Sequence, residues 1–168
     1  MTQDPINRIE WREATSLRSN HYNPNVVMTS EMRLLQRSIL QTGWIQPILV
    51  NTGGVIIDGF HRWTLSQLSQ ELQDRYAGKV PCAVLDVPDW MAMLLTVRIN
   101  RAKGTHVAFK MSAMVRELVE KHGVSPEQIV VEMGATDEEV RLLLQENVFK
   151  QRDIPNWKYS KAWKPVEA

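Results

Sequence analysis

Hydrophobic and polar positions follow two different patterns along the chain, and the change comes near residue 100. Before it, short apolar runs at 45–50, 55–57 and 80–87 are bounded by turn-forming residues such as Asn51-Thr52-Gly53-Gly54. Runs of this length between glycine, asparagine and proline are typical of strands, and Pro47 confines the first to an edge or to its own beginning. Segments with helical spacing separate them, so the pattern predicts an α+β unit with a small mixed sheet.

Three helices are predicted, one before these strands, one between the second and third, and one after them. The first begins at Thr29-Ser30-Glu31 and ends before Gly43, and the second runs from His61 to near Gly78. The third runs from a capping Asp89 to about Ile99. Apolar residues at helical spacing define the second helix: Leu65, Leu68, Leu72 and Tyr76. The first 27 residues are predicted to be irregular.

Beyond residue 104 the pattern is purely helical. A helix capped by Thr105 is predicted to end at Gly123, and Ser125-Pro126-Glu127-Gln128 is a capping box with proline at the first helical position. A second capping box at Thr136-Asp137-Glu138-Glu139 opens a helix to about Asn147. The predicted organisation is therefore an α+β domain over 1–100, a helical module over 101–148 and an aromatic, basic tail over 149–168.

Composition narrows the function classes. The chain has 168 residues, a formal net charge of +1 and one cysteine, Cys82. Near neutrality argues against binding to nucleic acid or membrane through bulk charge. A single cysteine forms no intramolecular disulfide, no Cys/His cluster has metal-ligand spacing, and no apolar run is long enough to span a membrane. We expect a soluble, cytoplasmic protein without a metal site of its own.

The charge is unevenly distributed. No acidic residue lies between Asp89 and Glu117, a stretch that carries Arg98, Arg101, Lys103, His106, Lys110 and Arg116. Two interpretations stay open: a solvated helix face that lacks acids, or an anion site in which uncompensated cations raise the local potential.

A strand, a glycine and a helix start follow one another in Ile56-Ile57-Asp58-Gly59-Phe60-His61-Arg62-Trp63. Glycine permits close approach of a ligand to the backbone, a helix N-terminus presents free N–H groups, and Arg62 offers a bidentate fork. These properties suit a phosphate. The alternative is that His61 caps locally and the Arg62 stem covers core surface.

Four segments together resemble the ParB/sulfiredoxin-like superfamily, in particular ParB amino-terminal domains of the stand-alone phage or mobile-element type. LRSNHYNPN (17–25) is similar to the family's entry segment, and EMRLLQRSILQTGWIQPILV (31–50) to its helix followed by a strand. IIDGFHRW (56–63) stands in place of the nucleotide-binding box, which reads GERR in ParB proteins and GCHR in sulfiredoxins. RINRAK (98–103) stands where ParB proteins carry ENxxR.

The resemblance implies a nucleotide, CTP or ATP, and leaves Mg²⁺ open as its companion ion. The phosphate-binding residues carried over are Gly59, His61, Arg62, Asn100, Arg101 and Lys103, with His106 one turn further on. Two departures bear on hydrolysis. Phe60 replaces the hydrolytic glutamate of ParB and the nucleophilic cysteine of sulfiredoxin, and Ile99 replaces a second glutamate. We therefore expect no sulfiredoxin chemistry and no efficient CTP hydrolysis. Asp58 is the candidate catalytic carboxylate, and its alternative role is to bond the turn backbone.

The helices after Ser125 resemble the helix-turn-helix module that follows in ParB proteins, in degenerate form. The second helix begins with three acids, which suit the helix dipole and repel DNA, so only Arg141 and Gln145 qualify as DNA contacts there. The alternative is a structural hairpin or a partner-docking surface. In the tail, Lys158, Lys161 and Lys164 alternate with aromatic residues and are the better nucleic-acid candidates. Packing of the tail as an apolar anchor is the alternative.

The sequence thus predicts a ParB-like nucleotide- or phosphate-binding protein that acts in DNA-associated regulation or partitioning. The alternative is a small nucleotide-dependent kinase or NTPase on the same fold, with a nuclease ranked last because clustered carboxylates are missing. Whether the protein is an enzyme stays open. The expected partners are a nucleotide and DNA, with a protein partner or homodimer left open and no membrane.

Overall fold

The computed structural model describes residues 4–20, 29–102 and 108–145, without the side chains of 29, 30, 101 and 108–110. Two 3₁₀ turns, Pro5–Asn7 and Ala14–Ser16, flank the first strand. The strands and helices are β1 (Ile9–Glu13), α1 (Thr29–Thr42), β2 (Ile48–Asn51), β3 (Ile56–Asp58), α2 (Phe60–Leu68), α3 (Gln70–Tyr76), β4 (Lys79–Leu85), α4 (Asp89–Ala102), α5 (Ala108–Glu120), α6 (Pro126–Met133) and α7 (Asp137–Leu144).

The four strands form one mixed sheet in the order β1-β4-β2-β3. β4 pairs antiparallel with β1 and parallel with β2, while β2 and β3 form an antiparallel pair joined by the predicted turn. The predicted α+β class with a small mixed sheet is confirmed. β2 is an interior strand, and Pro47 lies just before it, where its missing N–H disturbs no ladder hydrogen bond.

The prediction that the first 27 residues are irregular was wrong for β1. This strand pairs with β4 from Ile9 opposite Ala83 to Glu13 opposite Lys79. It escaped prediction because an edge strand needs no buried face: four of its five residues are exposed, including Trp11. Its sequence therefore lacks a continuous apolar side.

The single helix predicted from His61 to Gly78 was also wrong, because the chain breaks it at Ser69. Ser69 adopts an extended conformation, and its hydroxyl accepts a hydrogen bond from the backbone N–H of Leu72, so that it caps α3. Leu68, one of the apolar residues whose spacing predicted the helix, is 76% exposed at the end of α2. Serine at the break satisfies the N-terminal N–H groups of a new helix better than it continues an old one.

Helix α4 is shared between two parts of the structure. Met93, Leu94 and Val97 belong to one buried cluster with residues of α5, α6 and α7. On the same helix, the hydroxyl of Thr96 lies 3.1 Å from the carbonyl oxygen of Ile57 on β3. The predicted division at residue 100 stays a prediction, and α4 makes contacts on both sides of it.

The two capping boxes of the helical module were predicted correctly. The hydroxyls of Ser125 and Thr136 each accept a hydrogen bond at 3.2 Å from the backbone N–H three residues later, at Gln128 and Glu139. Gly134 between the two helices adopts φ +60°, a conformation that favours glycine. α7 ends at Leu144, earlier than the predicted Asn147. Among the described helices, none combines the length and apolar character needed to cross a lipid bilayer.

Candidate functional site

The candidate site begins where β3 ends, at Gly59. Its φ of +93° lies in the left-handed region, and a Cβ at this position would stand 3.3 Å from the Cα of Ile48 on β2. Both facts require glycine here. α2 begins at the next residue, and no side chain caps its N-terminus. The first N–H groups of α2 therefore keep the partial positive charge that favours an anion.

Helix α4 packs alongside β3, the strand that ends just before Gly59. At its start the side-chain amide of Asn51 donates to a carboxylate oxygen of Asp89 (2.8 Å), a bond that joins the first turn of α4 to the end of β2. Halfway along, Thr96 meets Ile57.

Asn100 lies one helical turn beyond Thr96, and Gly59 lies two residues beyond Ile57. One turn of four helical residues advances about 6 Å, and two strand residues advance about 6.6 Å. From these rises we expect Asn100 at about the level of Gly59, and it is 7% exposed. A common location of these two predicted residues stays a prediction.

Arg62 is engaged within the protein. Its Nη1 donates to the carbonyl oxygens of Gln46 (2.8 Å) and Pro47 (3.1 Å), and its Nη2 lies 3.5 Å from a carboxylate oxygen of Asp58. Burial lowers the pKa of the guanidinium, an effect that the negative charge of Asp58 opposes. These contacts hold the segment before β2 against the start of α2. A direct phosphate contact by Arg62 stays a prediction, and the alternative of a structural arginine matches these bonds.

Asp58 ends β3, opposite Leu49 of β2. Its carboxylate is partly accessible and stands beside Arg62 as an (i, i+4) ion pair. Within residues 4–20, 29–102 and 108–145, no three His, Cys, Asp or Glu side chains are grouped closely enough to hold a metal ion. The catalytic role of Asp58 stays a prediction.

Phe60 and His61 open α2 in different surroundings. Phe60, which replaces the family's glutamate or cysteine, packs against the buried cluster of the sheet and against Trp63 (ring centroids 5.4 Å apart). The Nε2 atom of His61 is buried, and its ring stands edge-on to Phe60 at 6.1 Å. The departure at position 60 therefore places an apolar ring in the core where the family carries a reactive side chain.

In the stretch without acidic residues, the positive charge of Arg98 is paired with an acidic residue from another helix. Its guanidinium Nε donates to the carbonyl oxygen of Glu132 (2.8 Å), and its Nη2 is bonded to the carboxylate of the same residue on α6. The interpretation of wholly uncompensated cations was therefore wrong for this position, because an acid distant in sequence packs against it. The side chain of Arg101, together with Lys103 and His106, lies outside the described residues.

The candidate DNA contacts of the helical module are both exposed, Arg141 on α7 and Gln145 at its C-terminal cap. The first turn of α7 carries Asp137, Glu138 and Glu139. The side of α7 that a recognition helix would point at DNA is thus acidic. Lys158, Lys161 and Lys164 of the tail lie outside the described residues.

A cavity of about 260 Å³ lies near the opposite end of α4. Its lining includes Arg18, Asn20, Asp89, Glu117 and His122. The buried side-chain amide of Asn20 donates to the carbonyl oxygen of Ile56 (2.7 Å) and lies 3.4 Å from the hydroxyl of Thr96. Sequence reasoning missed Asn20 and Thr96. The available signal was a threonine four residues before Asn100, on an otherwise apolar face of α4.

Comparison with known proteins gives four findings. No protein-family model matches the chain. The uncharacterized protein YbdM of Escherichia coli K12 is 35% identical over 165 residues, which cover 96% of this chain and 78% of YbdM. The fold is similar to that of a Pnob8-like ParB-N domain, with a TM-score of 0.60, 11% identity, and coverage of 90% of this chain and 75% of that one.

The fourth finding is a similarity to the C-terminally truncated chromosome-partitioning protein ParB from Caulobacter crescentus. Its complex with the centromeric parS site gives a TM-score of 0.51 at 19% identity, with coverage of 87% of this chain and 78% of that one. Its complex with CTP-gamma-S gives a TM-score of 0.45 at 21% identity, with coverage of 88% and 85%.

Proposed function

We propose that this chain, which belongs to one family with YbdM, is a ParB-like protein that binds a nucleotide or another phosphate ligand and acts in DNA-associated regulation or partitioning. One observation carries the proposal. The N-terminus of α2, which follows β3, has no side-chain cap, and Asn100 is buried on α4, the helix that packs on β3. A helix N-terminus and a side-chain amide are both suited to phosphate oxygens.

The proposed ligand is a nucleoside triphosphate, CTP or ATP. The first N–H groups of α2 and the amide of Asn100 would hold its phosphates, and the family resemblance adds His61, Arg101, Lys103 and His106. Arg62 would act by fixing the N-terminus of α2 through its bonds to Gln46 and Pro47. Phe60 offers no group for proton transfer, so we propose binding without efficient hydrolysis, with Mg²⁺ as an accompanying ion of the triphosphate.

Isothermal titration with CTP, ATP and GTP, with and without Mg²⁺, tests this site. We expect one of these nucleotides to bind, and Asn100→Asp to raise its dissociation constant by roughly tenfold, about 1.4 kcal/mol, because a carboxylate would face the phosphates. Gln128→Glu is the matched control, since it makes the same change of charge at an exposed position of α6 and should leave binding unchanged. Absence of binding by all three nucleotides contradicts the proposal.

The ligand would influence the helical module through α4. This helix packs on β3 through Thr96, contributes to the core of α5 to α7, and is tied to α6 by Arg98 and Glu132. Because Arg98 lies two residues before Asn100, an ordered ligand at Asn100 would favour one position of α6. Hydrogen exchange of α6 should therefore slow when nucleotide is added, and less so in Arg98→Ala. Equal slowing in both chains would contradict this route of coupling.

The DNA-associated part of the proposal rests on the resemblance of α6 and α7 to a helix-turn-helix pair. The acidic start of α7 opposes DNA contact there, so docking of a protein partner is the competing role of this pair. A salt-dependent gel shift distinguishes them. Arg141→Ala should weaken DNA binding if α7 reaches the phosphates, and should leave it unchanged if the pair docks a protein.

The enzyme alternative, a nucleotide-dependent kinase or NTPase, requires a carboxylate base near the phosphates. Asp58 is its candidate, and the ion pair with Arg62 instead matches a structural role. Measured turnover of CTP or ATP that Asp58→Asn abolishes would favour the enzyme. Turnover that is absent in the unaltered chain would exclude Asp58 as a catalytic residue for these nucleotides.

A further inference from the structure

β1 forms one edge of the sheet and, among the described strands, pairs only with β4. The N–H of Ala14 donates to the carbonyl oxygen of Gly78 (2.9 Å), in the same register that pairs Arg12 with Val80 and Glu10 with Cys82. Antiparallel pairs alternate between hydrogen-bonded and non-hydrogen-bonded. Since 14/78 is hydrogen-bonded, the bonded pairs within β1 are 12/80 and 10/82. The backbone groups of Ile9 and Trp11 therefore point away from β4.

This outer edge is open in the described part of the chain. The sheet has no further strand beside β1. The 3₁₀ turn before β1 contacts β4, so the chain leaves toward the interior of the sheet and not across its edge. Glu13 is the exception, because its carbonyl oxygen accepts a hydrogen bond from the hydroxyl of Ser16 (2.7 Å). An unprotected edge of this kind is a template for another strand.

Large apolar side chains line one face of the same strand. Trp11 is 50% exposed and Ile9 is exposed as well, although both are large enough to gain from burial. Trp11 stacks on Tyr76 of α3, with ring centroids 5.7 Å apart and an interplanar angle of 20°. The indole is thus held in place while half of its residue surface stays exposed among the described residues.

The opposite face carries one acid and one base, Glu10 and Arg12. Their side chains are joined at 2.7 Å within the strand, and both are partly exposed. A parallel second copy of β1 would set Glu10 against Glu10 and Arg12 against Arg12. An antiparallel copy centred on Trp11 sets each Glu10 against the Arg12 of the other copy. Cross-strand pairs of opposite charge stabilise a sheet, and like pairs destabilise it.

The hydrogen-bonding groups select the same register. Because the outward groups belong to odd-numbered residues, the two copies must centre on a residue and not between two residues. Within the five residues of β1, only centres at residue 10, 11 or 12 keep more than one residue of each copy paired. Centring on Glu10 or on Arg12 sets that residue against its own copy. The register centred on Trp11 pairs opposite charges and also places the two indoles opposite each other.

We propose that β1 pairs antiparallel with β1 of a second copy of this chain, centred on Trp11, and so joins the two four-stranded sheets into one continuous sheet. The interface is isologous, as expected for a two-fold dimer. The Trp11 rings extend the stack from Tyr76 of each copy, and two Glu10–Arg12 pairs close the other face. This association is independent of the proposed nucleotide site at the far edge of the sheet, where β3 ends.

Sedimentation equilibrium of the full chain, from micromolar to submillimolar concentration, tests the proposal. We expect a monomer–dimer equilibrium. Glu10→Arg and Arg12→Glu each create two like-charge pairs and should each raise the dimer dissociation constant at least about tenfold. The double reversal, Glu10→Arg with Arg12→Glu, restores opposite charges and should restore dimerisation. Glu120→Arg, an exposed charge reversal on α5, should leave it unchanged.

Mixing the two single variants gives the decisive outcome. A Glu10→Arg chain and an Arg12→Glu chain repel their own copies but complement each other in the antiparallel register, so the mixture should form a heterodimer. Loss of the bond within one strand cannot produce that result. Circular dichroism confirms that each variant is folded. A monomer at every concentration, or single variants that dimerise like the unaltered chain, would overturn the proposal.

Discussion

The hydroxyl of Thr96 lies 3.1 Å from the carbonyl oxygen of Ile57, and this contact joins α4 to the shortest strand of the sheet. β3 has three residues and pairs with the strand β2 on one side, while on its other side the N–H of Ile56 donates to the carbonyl oxygen of Arg18 (3.0 Å) in an isolated bridge. Thr96 therefore supports a strand that backbone pairing alone holds weakly. Gly59 follows β3 and Asn100 follows Thr96 on α4. The contact between Thr96 and Ile57 therefore also helps to position these two residues of the candidate site.

Thr96→Val should destabilise the protein by about 1–2 kcal/mol, because valine keeps the shape of threonine but removes a buried hydroxyl that lies within hydrogen-bond distance of the carbonyl oxygens of Ile57 (3.1 Å) and Ala92 (3.0 Å). Urea denaturation measures the free energy of unfolding. Thr64→Val is the matched control: the Thr64 hydroxyl donates to the carbonyl of Phe60 within its own helix (3.0 Å) and spans no two elements through this bond, so its loss should cost less than about 0.5 kcal/mol. Equal losses in the two variants would contradict a special role for Thr96.

Ser125→Ala should lower the free energy of unfolding by about 1 kcal/mol, because the hydroxyl accepts a hydrogen bond from the backbone N–H of Gln128 at the start of α6. Ser125→Asp retains a capping oxygen and should restore stability to within a few tenths of a kcal/mol. Thermal unfolding distinguishes the two variants. If aspartate destabilises as much as alanine, capping is not the source of the effect.

The elements with strong local signals were predictable from sequence. Glycine and capping side chains mark the ends of α1, α6 and α7, and the glycine-rich turn between β2 and β3 determines a hairpin without help from distant residues. β1 and the break at Ser69 were not predictable in the same way. β1 depends on pairing with β4, about 70 residues along the chain. Ser69 fits either a helix interior or a cap until packing decides between them.

The candidate site was predictable in its residues but not in their contacts. The motif around Gly59 and the position of Asn100 were evident from sequence, and their common location depends on α4 lying along β3. The hydrogen-bond partners of Arg62 were not evident from the sequence, because they are the backbone carbonyls of Gln46 and Pro47. Every residue has a backbone carbonyl, so the sequence does not indicate which carbonyls accept a hydrogen bond from an arginine side chain.

Cys82 should make the free energy of unfolding fall as the pH rises between 9.0 and about 11. Burial raises the pKa of its thiol to about 11, with Arg12 lowering it and Glu10 raising it by smaller amounts. Below this range both states keep the proton. Within it the unfolded chain loses the proton first, so unfolding becomes more favourable as the pH rises.

Urea denaturation at about pH 8 and about pH 10 measures this effect of the thiol. Cys82→Ala is less stable at both pH values because it leaves a small cavity, and its stability should fall less between them. The difference between the two chains isolates the thiol from lysines and tyrosines that titrate in the same range. Parallel declines in the two chains would contradict a raised pKa at Cys82.

DNA binding, where it is observed, should depend on the basic tail more than on α7. Lys158, Lys161 and Lys164 lie among aromatic residues, whereas Arg141 shares its helix with three acids of the first turn. Each lysine that neutralises a phosphate contributes about 0.9 to the slope of log affinity against log salt. Replacing all three lysines with alanine should therefore reduce that slope by about 2.7, and Arg141→Ala should change it by less than about 0.5.

Fluorescence anisotropy with a labelled duplex, titrated at several salt concentrations, gives both slopes. Lys79→Ala, at an exposed lysine of β4 that faces Glu13, is the control for loss of a single positive charge and should leave the slope unchanged. If the tail variant keeps the full slope, the lysines do not contact phosphate, and the tail instead packs as an apolar anchor. In that case removal of residues 150–168 should reduce the free energy of unfolding. An unchanged free energy of unfolding would exclude a role of the tail as an anchor.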